Sequence, residues 1–264
     1  MLTLVPWRGC AIVGTGQSGT LVQPADATVS SAEVAALVAD ANLAFPALHL
    51  TPEHVTLVHR GVVPAVTGRN GSPELKPAPE ILDHAAEGID GAVTVVGVKY
   101  TTARGVAEQV TRVVASRLGK RVRPSRTGTT TLPGAGIADH EALAIEACRA
   151  LSLDVPLPVI RHLIALYAEA APAIIRLMQA RPDLSAPVAR GVQTSGAEIL
   201  YVIRNEMAIR LADIMVRRTG LGSAGKPSEE AIANSARIAA AELGWDQARI
   251  GAEVGEIDRL YDLG

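Results

Sequence analysis

The pattern of apolar residues changes along this chain, and that change most constrains the fold. Before about residue 120, short apolar runs alternate with helical patterns, which indicates strands mixed with helices. After Pro133 the pattern is helical throughout, in segments near residues 139–151, 157–170, 171–180, 196–219, 228–243 and 246–261. We therefore predict an α+β protein. A mixed-sheet α/β domain spans residues 1–120, a linker spans 121–134 and an all-helical domain spans 135–264.

Composition excludes several classes of protein. The chain has 264 residues, of which 48% are hydrophobic and only 3% aromatic, with a formal net charge of −2. A near-neutral balance gives no field that favours nucleic acid, and so few aromatic residues cannot form stacking platforms for single strands. We predict no nucleic-acid partner.

The spacing of the cysteines and histidines, and the shortness of the apolar runs, favour a cytoplasmic protein. Cys10 and Cys148 lie far apart, and no histidines have metal-ligand spacing, so neither a disulfide nor a metal site is predicted. The first residues lack the basic and apolar regions of a signal peptide. No apolar run approaches the roughly 18 residues that a membrane span requires.

The first eighty residues predict short elements. Residues 3–14 favour a hairpin with its turn at Arg8-Gly9, and a helix begins at Ser30 or Ser31 and ends near Leu43. Residues 55–66 contain a further strand, at 55–60, and residues 67–80 form a polar loop.

One glycine-rich segment matches a nucleotide-binding motif but is not interpreted as a nucleotide site. Gly14-Thr15-Gly16-Gln17-Ser18-Gly19 fits the nucleotide-binding pattern G-x-G-x-x-G. That pattern must open directly into a helix, because the helix start holds the pyrophosphate. Pro24 stands where such a helix should run, so these glycines are interpreted as a loop after the hairpin.

The stretch at residues 97–104 is the most informative. An apolar run at 92–96 predicts a buried strand, Gly97 follows, and Thr101 and Thr102 open a helix. This order can aim free backbone N–H groups at an electron-rich ligand atom. The alternative is an ordinary strand-to-helix turn capped by Thr101 or Thr102.

These eight residues, Gly-Val-Lys-Tyr-Thr-Thr-Ala-Arg, resemble the Gly-Gly-Lys-Leu-Thr-Thr-Tyr-Arg motif of FAD-dependent glycerol-3-phosphate dehydrogenases and oxidases. Further matches follow the family's order and cover nearly the whole chain. They are Val5-Pro6-Trp7, Phe45-Pro46, Gly61-Val62-Val63-Pro64, Glu206-Met207-Ala208, Arg217-Arg218-Thr219 and Glu242-Leu243-Gly244-Trp245-Asp246.

The resemblance implies a flavin site. It places Gly97, Lys99, Tyr100, Thr101 and Thr102 beside the flavin ring of FAD, with Lys99 as the catalytic-site cation. Family members carry an N-terminal Rossmann unit that grips the rest of FAD, and no match to it is found here. The expectation is a C-terminal portion of the enzyme, truncated or separately encoded, which alone binds FAD weakly and is inactive. FAD binding is completed only with a separate FAD-binding half.

The resemblance also implies a small-molecule substrate. Family members transfer a hydride from the secondary alcohol of glycerol 3-phosphate to flavin and hold the phosphate with arginines. Val63 and Leu82 replace two of these arginines, so we expect a substrate other than glycerol 3-phosphate. Arg60 and His84 are the substrate-binding candidates, although His84 also suits an ordinary loop histidine.

Two further interpretations concern partners. Residues 112–126 contain six basic residues and no acidic one. This suits either a solvated linker or, as the resemblance implies, peripheral contact with the inner face of a membrane. Alternatively, the helical part is an interaction or assembly module, and the chain is a non-catalytic or complementing subunit.

Overall fold

The computed structural model describes residues 2–150 and 155–262. The chain divides into two units. The first, called here the helical unit, combines residues 1–15, 30–59 and 132–264, and the second, called the hairpin unit, combines residues 16–29 and 60–131. The predicted domain boundaries at residues 120 and 135 stay a prediction.

The regular elements of the described residues are helices and short strands. The helices are α1 Ser31–Ala44, α2 Ala103–Arg117, α3 His140–Ala150, α4 Leu157–Tyr167, α5 Ala171–Ala180, α6 Gly196–Asn205, α7 Glu229–Leu243 and α8 Gln247–Tyr261, with a π-helical segment at Asp213–Arg218. The strands are β1 Thr3–Trp7, β2 Cys10–Gly14, β3 Ala65–Thr67, β4 Pro73–Leu75, β5 Glu80–Asp83 and β6 Val93–Val96. The α+β class is confirmed. The last residue of the predicted helix at 139–151 lies outside the described residues.

The strands form three separate two-stranded antiparallel sheets, β1–β2, β3–β4 and β5–β6. The prediction of a mixed sheet was wrong in this respect. Each pair is a local hairpin, and a hairpin joins antiparallel strands without the longer crossover that parallel strands need.

The N-terminal elements follow the sequence prediction. β1 and β2 turn at Arg8 and Gly9, both of which have positive φ angles (46° and 81°). Helix α1 begins after Ser30, whose hydroxyl accepts from the Glu33 amide while the Glu33 carboxylate accepts from the Ser30 amide. This reciprocal cap fixes the helix start. No helix follows Gly14-Thr15-Gly16, as predicted; only a single 3₁₀ turn, Pro24–Asp26, precedes α1.

The hydrophobic core lies in the helical unit. α4, α5, α6 and α7 supply most of it, together with the π-helical segment. Its largest fully buried apolar side chains are Ile160, Leu163, Ile164, Ile174, Met178, Ile199, Leu211, Ile214, Met215 and Ile257. In the described part of the hairpin unit, only Val106 and Ala115 are buried apolar residues, and they keep 9% and 8% exposure.

Two predictions in residues 55–80 were wrong. Residues 55–60 form no strand, because an extended segment becomes a strand only when a neighbour pairs with it. The predicted polar loop at 67–80 instead contains the hairpin β3–β4, closed by a bond from the Gly68 amide to the Ser72 carbonyl at 2.8 Å.

The long helix predicted at 196–219 is interrupted. α6 ends at Asn205, and Met207 has a left-handed φ of 57°. The predicted ion pair between Glu206 and Arg210 is therefore absent, whereas the Asp213–Arg217 pair forms at 2.9 Å. Arg210 turns to Glu256 instead.

One segment has the length and hydropathy of a membrane span. An 18-residue window within Leu157–Ala180 has a mean hydropathy of 1.3, although no uninterrupted apolar run was predicted there. The segment consists of two helices, α4 and α5, which are separated by a break at Ala168 (φ 46°). Their buried residues, among them Ile160, Ile164 and Ile174, belong to the core, and 28% of the apolar 18-residue window is buried.

Within the helical unit, a loop of mostly small residues at 219–226 contacts the N-terminal hairpin. The Trp7 indole donates to the Ser223 carbonyl at 3.1 Å, and the Thr56 hydroxyl donates to the Ala224 carbonyl at 2.9 Å. The Tyr261 hydroxyl donates to the Gly222 carbonyl at 2.7 Å. Residues 1–15 and 30–59 thus group with the helices through backbone carbonyls of one loop.

Candidate functional site

The residues predicted to face a flavin form an exposed junction between β6 and α2. β6 ends at Val96, residues 97–99 have no regular structure, and one 3₁₀ turn, Tyr100–Thr102, leads into α2. Val96 pairs with Glu80 at the first residue of β5. We call residues 97–102 the 97–102 junction.

Hydrogen bonding leaves backbone donors of this junction open. The amide and the hydroxyl of Thr102 both donate to the Lys99 carbonyl, at 3.3 and 3.0 Å. No side chain caps the start of α2. Among the described residues, the amides of Tyr100 and Thr101 have no acceptor. Neither Thr101 nor Thr102 caps the turn with its side chain, so that part of the alternative was wrong. The open N–H groups give this end a partial positive charge.

The side chains of the junction are open to solvent. Tyr100 is 100% exposed, and Gly97, Lys99, Thr101 and Thr102 are also exposed. Lys99 forms no ion pair within the described residues, so its ammonium group is available to an outside ligand. A cation next to open amides can stabilise negative charge that develops on a ligand. The residues present therefore fit the electron-rich edge of a flavin.

His84 lies at the other end of the same hairpin. Its ring nitrogens contact the Glu87 carboxylate at 3.0 Å and the Thr94 hydroxyl at 2.8 Å. Asp83 pairs with Val93 and Glu80 with Val96, so about 10 Å of strand separates the His84 end from the junction. The structure does not bring His84 next to Lys99, and both ring nitrogens already have local partners.

Arg60 is exposed in the irregular segment before β3. It makes no hydrogen bond or ion pair with any described residue. The guanidinium is thus free to bind an anion, but no second described side chain converges on it. Its role in substrate binding stays a prediction.

The two positions where the resemblance implies arginine are apolar and solvent-facing. Val63 is 56% exposed and Leu82 is 43% exposed. Next to Leu82, the Asp83 carboxylate is bound by Arg117, which lowers the pKa of Asp83. Arg117 is therefore already neutralised and does not replace the missing guanidinium groups.

A buried polar cluster in the helical unit was not predicted from the sequence. The Glu198 carboxylate is completely buried and contacts the His162 Nε2 at 3.0 Å and the Tyr167 hydroxyl at 2.9 Å. Burial, followed by the charge of Glu198, strongly raises the pKa of Tyr167. A glutamate between Ala197 and Ile199 on a buried helix start was the available clue. This pattern does not indicate which side chains of α4 pair with the glutamate.

The side chains of residues 2–150 and 155–262 do not support a metal site. No group of three or more histidine, cysteine, aspartate or glutamate side chains is arranged there to hold a metal ion. The chemistry of the exposed junction is instead that of open amides and one ammonium group.

Most of the helical part of the chain is similar to a known class of protein. Residues 125–250 match the family model described as the C-terminal domain of alpha-glycerophosphate oxidase. The resemblance found in the sequence is confirmed: the chain is similar to the C-terminal region of glycerol-3-phosphate dehydrogenases.

Individual relatives agree with that class. The chain is 26% identical over 258 residues to a glycerol-3-phosphate dehydrogenase of Synechocystis, a match that covers 95% of this chain and 45% of that protein. It is 27% identical over 256 residues to one of Mycobacterium leprae, covering 96% and 43%. The chain spans about half the length of the curated relatives it matches.

A solved structure has the same fold. The glycerol-3-phosphate dehydrogenase from Bacillus halodurans complexed with FAD superimposes with a TM-score of 0.73 and 19% identity. The match covers 100% of this chain and 51% of that protein.

Proposed function

We propose that the chain is the substrate-facing C-terminal part of an FAD-dependent oxidoreductase that accepts a hydride from a secondary alcohol. The exposed 97–102 junction is the single observation that carries the proposal. Its open amides at Tyr100 and Thr101 and the free ammonium of Lys99 form a positive edge. In a relative whose structure contains FAD, this fold occupies about half of the chain.

Bound FAD would supply the hydride acceptor. The Tyr100 and Thr101 amides would donate to the electron-rich edge of the ring, and Lys99 would add a full positive charge beside it. Because these groups are fixed at a helix start, they need little reorganisation when negative charge develops. This chain alone offers one edge of such a site, so we expect it to bind FAD weakly.

The proposal is tested by reconstitution. The portion of the Bacillus halodurans enzyme that has no counterpart in this chain would be co-expressed with it, and flavin would be measured in the purified complex. We expect stoichiometric FAD in the complex and little in the chain alone. Flavin retained equally by the isolated chain would contradict the expectation.

Lys99 is tested in the same complex. K99M should lower the rate of flavin bleaching by the alcohol substrate at least tenfold, because a charge at the developing anion is lost. K76M is the matched control, because Lys76 already pairs with Glu80. Equal rates of flavin bleaching for K99M and the unaltered complex would show that Lys99 does not act at the site.

We further propose that the substrate is not glycerol 3-phosphate but a hydroxy compound without a phosphate. Val63 and Leu82 present apolar surface where bidentate guanidinium groups would hold a phosphate. In the reconstituted complex, V63R together with L82R should lower the KM for glycerol 3-phosphate by at least tenfold. An unchanged KM would contradict the proposal, and the unsubstituted complex turning over glycerol 3-phosphate efficiently would refute it outright.

Contact with a membrane is a separate proposal, supported by charge. Lys120, Arg121, Arg123 and Arg126 are exposed and have no ion-pair partner among the described residues, whereas Arg117 is paired. Four free cations in seven residues suit the anionic inner face of a membrane, at about 1 kcal/mol for each. Sedimentation with anionic and with neutral vesicles tests the contact, and equal binding to both would contradict it.

The alternative function, a non-catalytic or complementing assembly subunit, is supported by the distribution of the core. Among the described residues, nearly all of the buried large apolar side chains lie in the helical unit, and few lie in the hairpin unit. If the reconstituted complex forms but never holds flavin, the assembly function is favoured over the enzyme.

A further inference from the structure

Residues 120–131, the last segment of the hairpin unit, combine free cations with exposed hydroxyl groups. No acidic residue occurs between Glu108 and Asp139. Four exposed cations of the segment form no ion pair with any described residue: Lys120, Arg121, Arg123 and Arg126. Five hydroxyl side chains of the segment are exposed as well: Ser125, Thr127, Thr129, Thr130 and Thr131. The hydroxyl groups therefore lie in a positive field and within reach of another enzyme.

The backbone of this segment is accessible too. Residues 121–126 have no regular structure, and within 121–125 no amide or carbonyl bonds to the backbone of another described residue. The side chain of Val122 is 48% exposed and does not belong to the core. A segment without such ties can enter the groove of a modifying enzyme while few contacts are broken.

One hydroxyl group of the segment already contacts a guanidinium. Arg104 Nη1 donates to the Thr127 hydroxyl at 3.4 Å, and the Ser125 hydroxyl lies 2.8 Å from the same oxygen. The next two threonine hydroxyls of the chain donate to a backbone carbonyl instead. Among the described residues, Thr127 is therefore the hydroxyl of this segment that a cation contacts.

Arg104 is placed to hold an anion at this position. It lies in the first turn of α2, where the helix dipole favours negative charge. Its side chain is 57% exposed, and its ion pair with Glu108 is long, at 3.4 Å. Glu108 also pairs with Arg112, so Arg104 can leave that carboxylate without stranding a charge. A phosphate group on Thr127 would give Arg104 a doubly charged partner, which a guanidinium binds through paired hydrogen bonds.

We propose that Thr127 is a phosphorylation site whose phosphate group is held by Arg104. In the reaction, the Thr127 oxygen bonds to the γ-phosphorus of a nucleoside triphosphate, and the bond from that phosphorus to the β–γ bridging oxygen breaks. The hydroxyl proton passes to a carboxylate base of the kinase, and a nucleoside diphosphate leaves. The flanking cations suit a serine/threonine kinase that selects its target by basic residues.

The contact with Arg104 distinguishes Thr127 from the neighbouring hydroxyl groups. A phosphate that is bound by a guanidinium is partly shielded from a phosphatase, whereas a phosphate on a free hydroxyl of the segment is not. Phosphate therefore accumulates at Thr127 when a kinase and a phosphatase act together.

The expected consequence is a change of charge in the segment, and it rests on the membrane contact proposed above. A phosphothreonine carries about −1.5 to −2 charges at pH 7, which cancels up to half of the four free cations. The same phosphate draws residues 125–127 towards α2. Because basic segments leave anionic membranes when they are phosphorylated, the modified chain should detach.

The site is tested on the full chain with such a kinase, magnesium ATP and a phosphatase present together, so that retained phosphate is measured. Mass spectrometry should locate the phosphate mainly on Thr127, with at least fivefold less in T127A. T129A is the matched control, because Thr129 lies in the same segment but donates to a backbone carbonyl, and it should match the unaltered chain. Phosphate confined to other residues, or equal incorporation by T127A, would overturn the proposal.

The role of Arg104 has a separate readout, on chains modified by the kinase alone. In ³¹P NMR the pKa of the phosphothreonine should be lower by about half a pH unit or more in the unaltered chain than in R104Q, because a guanidinium stabilises the dianion. R69Q removes an equal charge at an exposed position of the same unit and should keep the lower pKa. Equal pKa values in R104Q and the unaltered chain would show that Arg104 does not hold the phosphate.

Vesicle binding separates this proposal from the membrane contact. Sedimentation with phosphatidylserine vesicles should show at least tenfold weaker binding by the phosphorylated chain than by the unmodified chain. Equal binding by both forms would refute the change in membrane binding. An unmodified chain that does not bind would refute the membrane contact itself, whereas the position of the phosphate and its contact with Arg104 are decided without vesicles.

Discussion

At the scale of single residues, the buried Glu198 carboxylate is the most demanding group of the helical unit. It has no access to water, and the His162 ring and the Tyr167 hydroxyl are the side-chain donors that compensate it. Such a group is costly to leave unpaired, because its hydration has been lost completely. The cluster therefore ties α4 to α6 whether or not the protein is an enzyme.

Removing one donor from this cluster should be strongly destabilising. H162A should lower the free energy of unfolding by about 3 kcal/mol, since it leaves the buried carboxylate with one side-chain donor. The measurement is urea denaturation followed by circular dichroism. R181A is the control: it breaks an exposed pair with Asp183 and should lower the free energy of unfolding far less. Equal losses for the two variants would show that the cluster is not a strong tie.

Tyr261 makes stability depend on alkaline pH. Burial raises the pKa of Tyr261 to about 12, whereas a tyrosine in the unfolded chain loses its proton near pH 10. Between these values the folded state holds more protons than the unfolded state, so the free energy of unfolding falls as pH rises from about 10 to about 12. Y261F should flatten this decline in thermal midpoints measured across that window. Y100F, at a fully exposed tyrosine, should keep the original slope; the same slope for both would contradict the argument.

At the scale of elements, caps and turns were predicted more reliably than helix breaks. Ser30 with Glu33, and Arg8-Gly9, contain the local chemistry of their structures, so sequence alone identifies them. No glycine or proline lies at the helix break at Met207, so the local sequence does not indicate the break. It depends on distant groups, such as the Glu253 carboxylate, which accepts from the Leu211 amide at 2.7 Å. Tertiary partners of this kind cannot be found from periodicity.

The loop at 219–226 gives a prediction at this scale. A Cβ on Gly222 would overlap the Tyr261 hydroxyl and approach the Met215 carbonyl at 3.1 Å. G222A should therefore lower the free energy of unfolding by about 1–3 kcal/mol. G251A is the matched control, because a Cβ at Gly251 meets no atom within 4 Å and alanine favours the α8 helix by about 0.5–1 kcal/mol. Chemical denaturation of both variants should give effects of opposite sign; a neutral G222A would mean that the loop yields easily.

At the scale of the whole molecule, the two units differ in how much they bury. The helical unit has a continuous core, whereas the hairpin unit contains two of the three separate two-stranded sheets. The α+β class could be predicted because helical periodicity is local. The pairing of strands could not, because it depends on neighbours that the sequence does not specify. The 97–102 junction was placed correctly between a strand and a helix, but the sequence left open whether its amides are free or capped by a threonine.

This difference should appear in hydrogen exchange. Amides of β5–β6 and α2 should exchange much faster than those of α6, because an isolated two-stranded hairpin is marginal and protection follows local burial. Mass spectrometry of peptides covering residues 80–117 and 196–205 would compare them at neutral pH. Equally slow exchange in both peptides would contradict the expectation.

The bond between Trp7 and Ser223 joins residues 216 positions apart. At about 5–20 residues per second, the ribosome needs roughly 10–40 s to reach the loop after making the first hairpin. During that interval the Trp7 indole lacks its acceptor, the Ser223 carbonyl. The apolar side chains of the hairpin are then exposed on the nascent chain. Synthesis of this protein therefore includes a waiting period in which a chaperone that shields this hairpin would raise the yield of folded chains.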